Sequence, residues 1–248
     1  MDYLTVILIL IFVALIPWLI YFVYYSKLEG DLVKIFVIGG VGWVIAFFAR
    51  LPILSVSSFY IEPIYYAVLA SILAGVFEEA CRFIFIKKYA YENATNGKIC
   101  SFGVGWGLFE VVMIHTLSMT ALLMVIMMGI EIPDVEIPPP DTLLIQGLAG
   151  SYERLIVVPL HIGLTLLVFK AMENKTYLFF AIFYHALVNL SAVLSYTLLS
   201  FNMWLVEALI TILVIILYAL IYLKLGIDLK DFFSNPESTL QQQEPIVF

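Results

Sequence analysis

Nine lysines constrain this chain more than any other feature. Apolar runs fall near residues 3–25, 33–53, 63–86, 101–130, 143–169, 176–199 and 203–223. Lys27 and Lys34 lie between the first and second runs, and Lys87, Lys88 and Lys98 between the third and fourth. Lys170 and Lys175 lie between the fifth and sixth, and Lys224 and Lys230 follow the seventh. All nine therefore share one side of whatever the runs cross. Each run reaches or exceeds the roughly 17–25 residues with which a helix spans a bilayer core of about 30 Å. Backbone groups in hydrocarbon must be satisfied within the segment, which favours helices, and no alternating strands of about ten residues are visible. The expected fold is all-α, with about seven transmembrane helices in a multi-pass membrane protein. The positive-inside rule puts the lysines in the cytoplasm, the N-terminus outside and the C-terminus inside. Arg50 alone falls to the outer side.

Composition excludes the alternatives. Hydrophobic residues make up 63% of the 248 and charged residues 12%, where soluble domains average about 45–50% and about 25%. A net charge of -7 argues against a nucleic-acid partner. Cys81 and Cys100 form no paired motif. The start, Met1-Asp2-Tyr3 followed by more than 20 apolar residues, is acidic and too long for a signal peptide, and reads as the first span. One helical domain is expected over residues 1–225, with the functional core in 63–199. A polar cytoplasmic tail, expected to be disordered, covers 226–248.

Function is carried by ionisable groups inside the spans, each costing roughly 2.5–3.5 kcal/mol at a lipid-facing helix centre. They are Glu78, Glu79, Arg82, Glu110, His115, Glu153, Arg154, His161, His185 and Glu207, joined by the amide of Asn189. At about 1.5 Å per residue, Glu79, Glu110, His161 and His185 lie about 12–14 Å from the lysine-side ends of four different spans. Four polar groups thus reach one level, near the midplane on the cytoplasmic side. Glu78 and Glu79 precede Arg82 by four and three residues, so either can meet it. His185 and Asn189 also share a face. His115 and Glu207 carry less weight, as helix-end or packing groups.

A carboxylate, two histidines and an amide can hydrolyse a bond. A glutamate serves as general base towards water, and His and Asn orient the water or stabilise an oxyanion. Two histidines and a carboxylate can instead hold zinc with one position open. HExxH and GxSxG are absent, so neither an ordinary zincin nor a serine hydrolase is expected.

The stretch Glu78-Glu79-Ala80-Cys81-Arg82 resembles the first motif of the CAAX-protease superfamily of intramembrane glutamate proteases. His185-Ala186-Leu187-Val188-Asn189 resembles its last motif. The whole pattern is most similar to the YhfC family within that superfamily: EExxR, GxGxGxxE ending at Glu110, Glu153-Arg154 followed by His161, then HxxxN. The resemblance covers roughly residues 70–195. It implies peptide-bond hydrolysis within the plasma membrane of a prokaryote, on a membrane protein or peptide substrate. Glu78 would be the base, with Glu79 as alternative, His185 and Asn189 the oxyanion stabilisers and His161 a second catalytic histidine. The spacing is EExxR where CAAX-processing members have EExxxR, and FxxxH is absent, so a prenylated substrate is not implied. No cofactor is required on the glutamate reading, and zinc is possible because YhfC-type members are described as metalloproteases. A non-catalytic membrane scaffold and a proton-coupled transporter are the competing classes; the intact Glu78-Glu79-Arg82 set weighs against the first, and missing inverted repeats against the second.

Overall fold

The computed structural model describes residues 1–27, 31–131, 136–197, 202–234 and 237–238. Its elements are α1 (Tyr3–Ser26), α2 (Leu32–Ser57), α3 (Pro63–Tyr89), α4 (Asn96–Glu110), α5 (Leu117–Met128), α6 (Pro140–Lys170), α7 (Thr176–Thr197), α8 (Met203–Leu225) and α9 (Leu229–Ser234). A π-helical turn, Val111–Thr116, joins α4 to α5 without a break. There is no strand among the described residues. The fold is all-α, and among the described residues six helical stretches are long and apolar enough to cross a membrane: α1, α2, α4 through α5, α6, α7 and α8. Helix α3 has 27 residues, as long as its neighbours, but carries Glu78, Glu79 and Arg82.

Local chemistry sets the ends. Pro63 and Pro140 occupy first turns, where a missing N–H costs nothing. Thr95 accepts from Lys98 N at 3.2 Å and caps α4, which begins five residues before the apolar run at 101. Gly129 and Gly226 close α5 and α8 with φ of +63° and +65°, the left-handed cap that glycine adopts without strain. Pro159 lies inside α6 and cannot donate to the carbonyl of Leu155 four residues back. Trp18 Nε1 of α1 donates to that carbonyl at 3.2 Å, so the orphan is satisfied.

Packing centres on α4. A Cβ on Gly39 would collide with the Phe102 carbonyl oxygen, and one on Gly105 with that of Phe36. The backbones of α2 and α4 are therefore in contact. On another face of α4, Cβ atoms at Gly103 and Gly107 would fall 2.7 and 2.9 Å from the Cα atoms of Ile162 and Val158 in α6. Small residues permit this approach, which dispersion and close packing reward in lipid. Helix α3 meets α7 in the same way, with Gly75 against Ile182 O.

Part of the segment expected to be a disordered tail is folded. Ile227 and Phe232 are fully buried, and α9 lies against α4. Ser238 accepts from Asn96 N at 3.0 Å. The apolar pair Phe232-Phe233 drives this: burying such side chains is worth roughly 1.5–3 kcal/mol each. The rest of the tail, like residues 132–135 of the loop before α6, lies outside the described residues.

Candidate active site

The expected residues of α3, α4, α6 and α7 converge. Glu79 and Arg82 are wholly buried, with Arg82 Nε 2.9 Å from Glu79 Oε2. That contact is off the hydrogen-bonding line; Arg82 Nη2 donates to Glu79 Oε1 at 3.2 Å. Arg82 also reaches His161 Nδ1 at 2.9 Å, and its Nη1 donates to His161 O at 3.0 Å and Thr165 Oγ1 at 2.7 Å. The Trp106 ring stacks on the guanidinium, 4.3 Å from its carbon.

Two carboxylate–histidine pairs flank this cation. His185 Nδ1 lies 2.7 Å from Glu79 Oε1, and His161 Nε2 lies 2.8 Å from Glu110 Oε2. The tautomers follow from the partners. A guanidinium only donates, so His161 Nδ1 accepts and Nε2 carries the proton given to Glu110. Glu79 as a carboxylate only accepts, so His185 Nδ1 carries the proton given to it. The two rings stand 5.5 Å apart, edge to face.

Glu78 does not meet Arg82, although the four-residue spacing allows it. It faces α2, where Arg50 Nη1 donates to Oε1 at 3.0 Å, and Trp106 Nε1 donates to Oε2 at 3.1 Å. Glu110 takes Trp43 Nε1 at 3.1 Å and Arg154 Nη1 at 3.3 Å. Arg154 also bonds Glu153. Thus Arg50, Trp43, Trp106 and Thr165 belong to the centre, although sequence reasoning does not single them out. Arg50 had an available signal, a cation within an apolar run; the indoles and the threonine had none. His115 stands apart, 3.3 Å from Ser151 Oγ, and Glu207 is buried on α8.

The centre opens on a chamber of about 40 Å³ lined by Glu110, Glu153, His161, His185, Asn189 and apolar side chains of α6 to α8. A water needs roughly 10–15 Å³ on this measure, so there is room for two or three. Neither Glu78 nor Glu79 lines the chamber; both are held behind it by Arg50 and Arg82. Asn189 lines it with an amide that makes no hydrogen bond to the described residues. The π turn begins one residue after Glu110, an irregularity frequent at functional sites.

A family model described as YhfC intramembrane metalloprotease matches residues 11–210. The chain belongs to the YhfC family. It is also 27% identical over 200 residues to the uncharacterized membrane protein YhfC of Bacillus subtilis (strain 168), covering 69% of this chain and 77% of that relative. With its six apolar helices, this YhfC-family chain is a multi-pass integral membrane protein, and the bacterial relative accords with a plasma-membrane setting.

The family's description raises a metal, and the donor set can be tested for it. One ligand atom each from Glu78, Glu110 and His161 lies within 4.8 Å of the others. The set fits a divalent cation in donor type, number and spacing. Ligation by His161 requires Nε2 to lose its proton, and Arg82 blocks its move to Nδ1, so loading requires the Arg82–Nδ1 bond to open.

Proposed function

We propose that this chain is an intramembrane peptidase that hydrolyses peptide bonds of membrane proteins or membrane peptides, with Glu110 as general base. The observation that carries this reading is the Glu110–His161 pair opening, with the unengaged amide of Asn189, on a water-sized chamber among buried helices. The family's description supports the reaction class. In this reading α3 is a seventh span, the lysine side is cytoplasmic and the N-terminus lies outside.

A water in the chamber attacks the peptide carbonyl carbon as its proton passes to the Glu110 carboxylate. Asn189 donates to the oxyanion that develops. His185, fixed by its bond to Glu79, holds the water's second hydrogen on Nε2. The C–N bond then breaks as Glu110 returns its proton to the amide nitrogen, giving a carboxyl and an amine. Glu79 and Arg82 position the two histidines and do not touch substrate. Glu78, Glu110 and His161 would hold a divalent metal ion, which when bound supplies Lewis-acid polarisation and a more acidic water. His161 would then serve as a ligand, and Asn189 would still face the oxyanion.

The test is made on purified protein in lipid nanodiscs with a membrane-peptide library. The parent is assayed for bound metal and for cleavage with and without chelator, beside Glu110→Gln. Cleavage that survives chelation and disappears in Glu110→Gln supports the glutamate base. Cleavage lost on chelation from metal-bearing protein makes Glu110 a ligand. A folded, metal-bearing parent that cleaves nothing would refute the peptidase reading.

A further inference from the structure

A second cavity, of about 450 Å³, lies between α2, α3, α6 and α7. Its walls include Arg50, Tyr66, Ala70, Ser71, Asn189 and Ala192. Glu153, Asn189 and Ala192 line both this cavity and the small chamber, so the two adjoin across these side chains.

The cavity has a direction. Arg50 lies late in α2, Tyr66 to Ala74 fall in the first half of α3, and Asn189 to Val193 in the second half of α7. Those halves are the ones away from Lys34, Lys87, Lys88 and Lys175. Towards the lysines the helices are shut. A Cβ on Gly75 would lie 2.6 Å from Ile182 O, so the α3 and α7 backbones touch there. The Arg50–Glu78 ion pair bridges α2 to α3 close by. Above that level α3 turns Ala67, Ala70, Ser71 and Ala74 to the cavity, and these short side chains leave the space unfilled.

An unwound segment exposes backbone N–H and C=O groups that hydrocarbon cannot satisfy. Arg50, Tyr66, Glu153 and Asn189 line this cavity with polar groups that can meet them. We propose that this cavity is the substrate cleft, through which an extended peptide segment reaches the chamber from the membrane face opposite the lysines, past Asn189 at the threshold. The proposal rests on the peptidase reading for the identity of the occupant, and on the walls alone for the direction of entry.

Two arms separate these dependences. In a Cys81→Ala, Cys100→Ala background, Ala70→Cys is treated with a membrane-impermeant maleimide in intact spheroplasts and in inverted vesicles, beside Lys88→Cys as the lysine-side reference. Ala70→Cys is expected to label at least tenfold faster from the face where Lys88→Cys does not react. Labelling from the Lys88 face, or from neither, would overturn the route whether or not the protein cleaves anything. In the second arm Ala70→Trp fills the cleft. Cleavage of membrane peptides is expected to fall at least tenfold at an unchanged unfolding temperature, and full cleavage by folded Ala70→Trp would overturn the cleft. A folded, metal-bearing parent without cleavage refutes the peptidase reading and leaves the labelling arm to decide the route.

Discussion

Replacing Arg82 with methionine removes the cation that joins both carboxylate–histidine pairs. The side chain is wholly buried and gives up hydrogen bonds to Glu79, His161 Nδ1, His161 O and Thr165, together with the stack on Trp106. Glu79 is left as a buried carboxylate without its guanidinium, and breaking one side of such a pair costs about 3–5 kcal/mol. Glu79→Gln strands Arg82 in the same way and is expected to cost a similar amount. In the double variant no charge is stranded, and the amide introduced at position 79 still offers an oxygen to His185 Nδ1. Its cost is expected to fall short of the sum of the singles by more than about 2 kcal/mol, at the upper end of what coupled neighbours show. Reversible unfolding in bicelles, followed by tryptophan fluorescence, measures all four corners of the cycle. Single variants costing under about 1 kcal/mol, or strict additivity, would refute the assignment of Arg82 as the centre's electrostatic keystone.

Other expectations come from the same geometry. Asn189→Ala should lower kcat by about 10²–10³ with little change in unfolding temperature, since the amide bonds no described residue and one oxyanion donor is worth that much; single-turnover kinetics in nanodiscs would check it. Trp106→Phe keeps the ring on Arg82 but removes the donor to Glu78, and should destabilise by about 1–3 kcal/mol in the same unfolding assay. Gly105→Ala drives a methyl into the Phe36 carbonyl oxygen and should prevent folding, seen as loss of a monodisperse peak in detergent chromatography. Zinc affinity should weaken as pH falls, because protons compete with the metal for the donor atoms of Glu78, Glu110 and His161, and isothermal titration at two pH values would measure it.

Much of the architecture is legible because lipid leaves a helix few choices: seven apolar runs can become little else, and a rise fixed by backbone hydrogen bonds places Glu79, Glu110, His161 and His185 at one level. Which groups bond is harder to read. Glu78 has Arg82 four residues on in its own helix, yet it turns to Arg50 on α2, because helical rotation sets which flank a residue faces and only interhelix packing sets what waits there. Trp43 and Trp106 look like ordinary apolar residues in sequence and act as hydrogen-bond donors once carboxylates are buried beside them. The two glutamates of the first motif read as the bases, whereas the chamber walls hold Glu110 and Glu153, and the proposed mechanism therefore starts from Glu110. The polar majority of the tail suggests disorder, whereas two adjacent phenylalanines are enough to anchor α9.

The π turn after Glu110 adds a residue to a helix that otherwise runs from Asn96 to Met128. Such an insertion breaks the phase between the stretches on its two sides. The inner stretch keeps Gly103, Gly105 and Gly107 locked against α2 and α6, so the bearing of Glu110 is set entirely from below. The stretch beyond the turn packs on α1 and the start of α6 instead, so the two stretches take their rotation from different neighbours. The helix behaves as two separately seated rods sharing one axis, and Glu110 sits at the last position of the first.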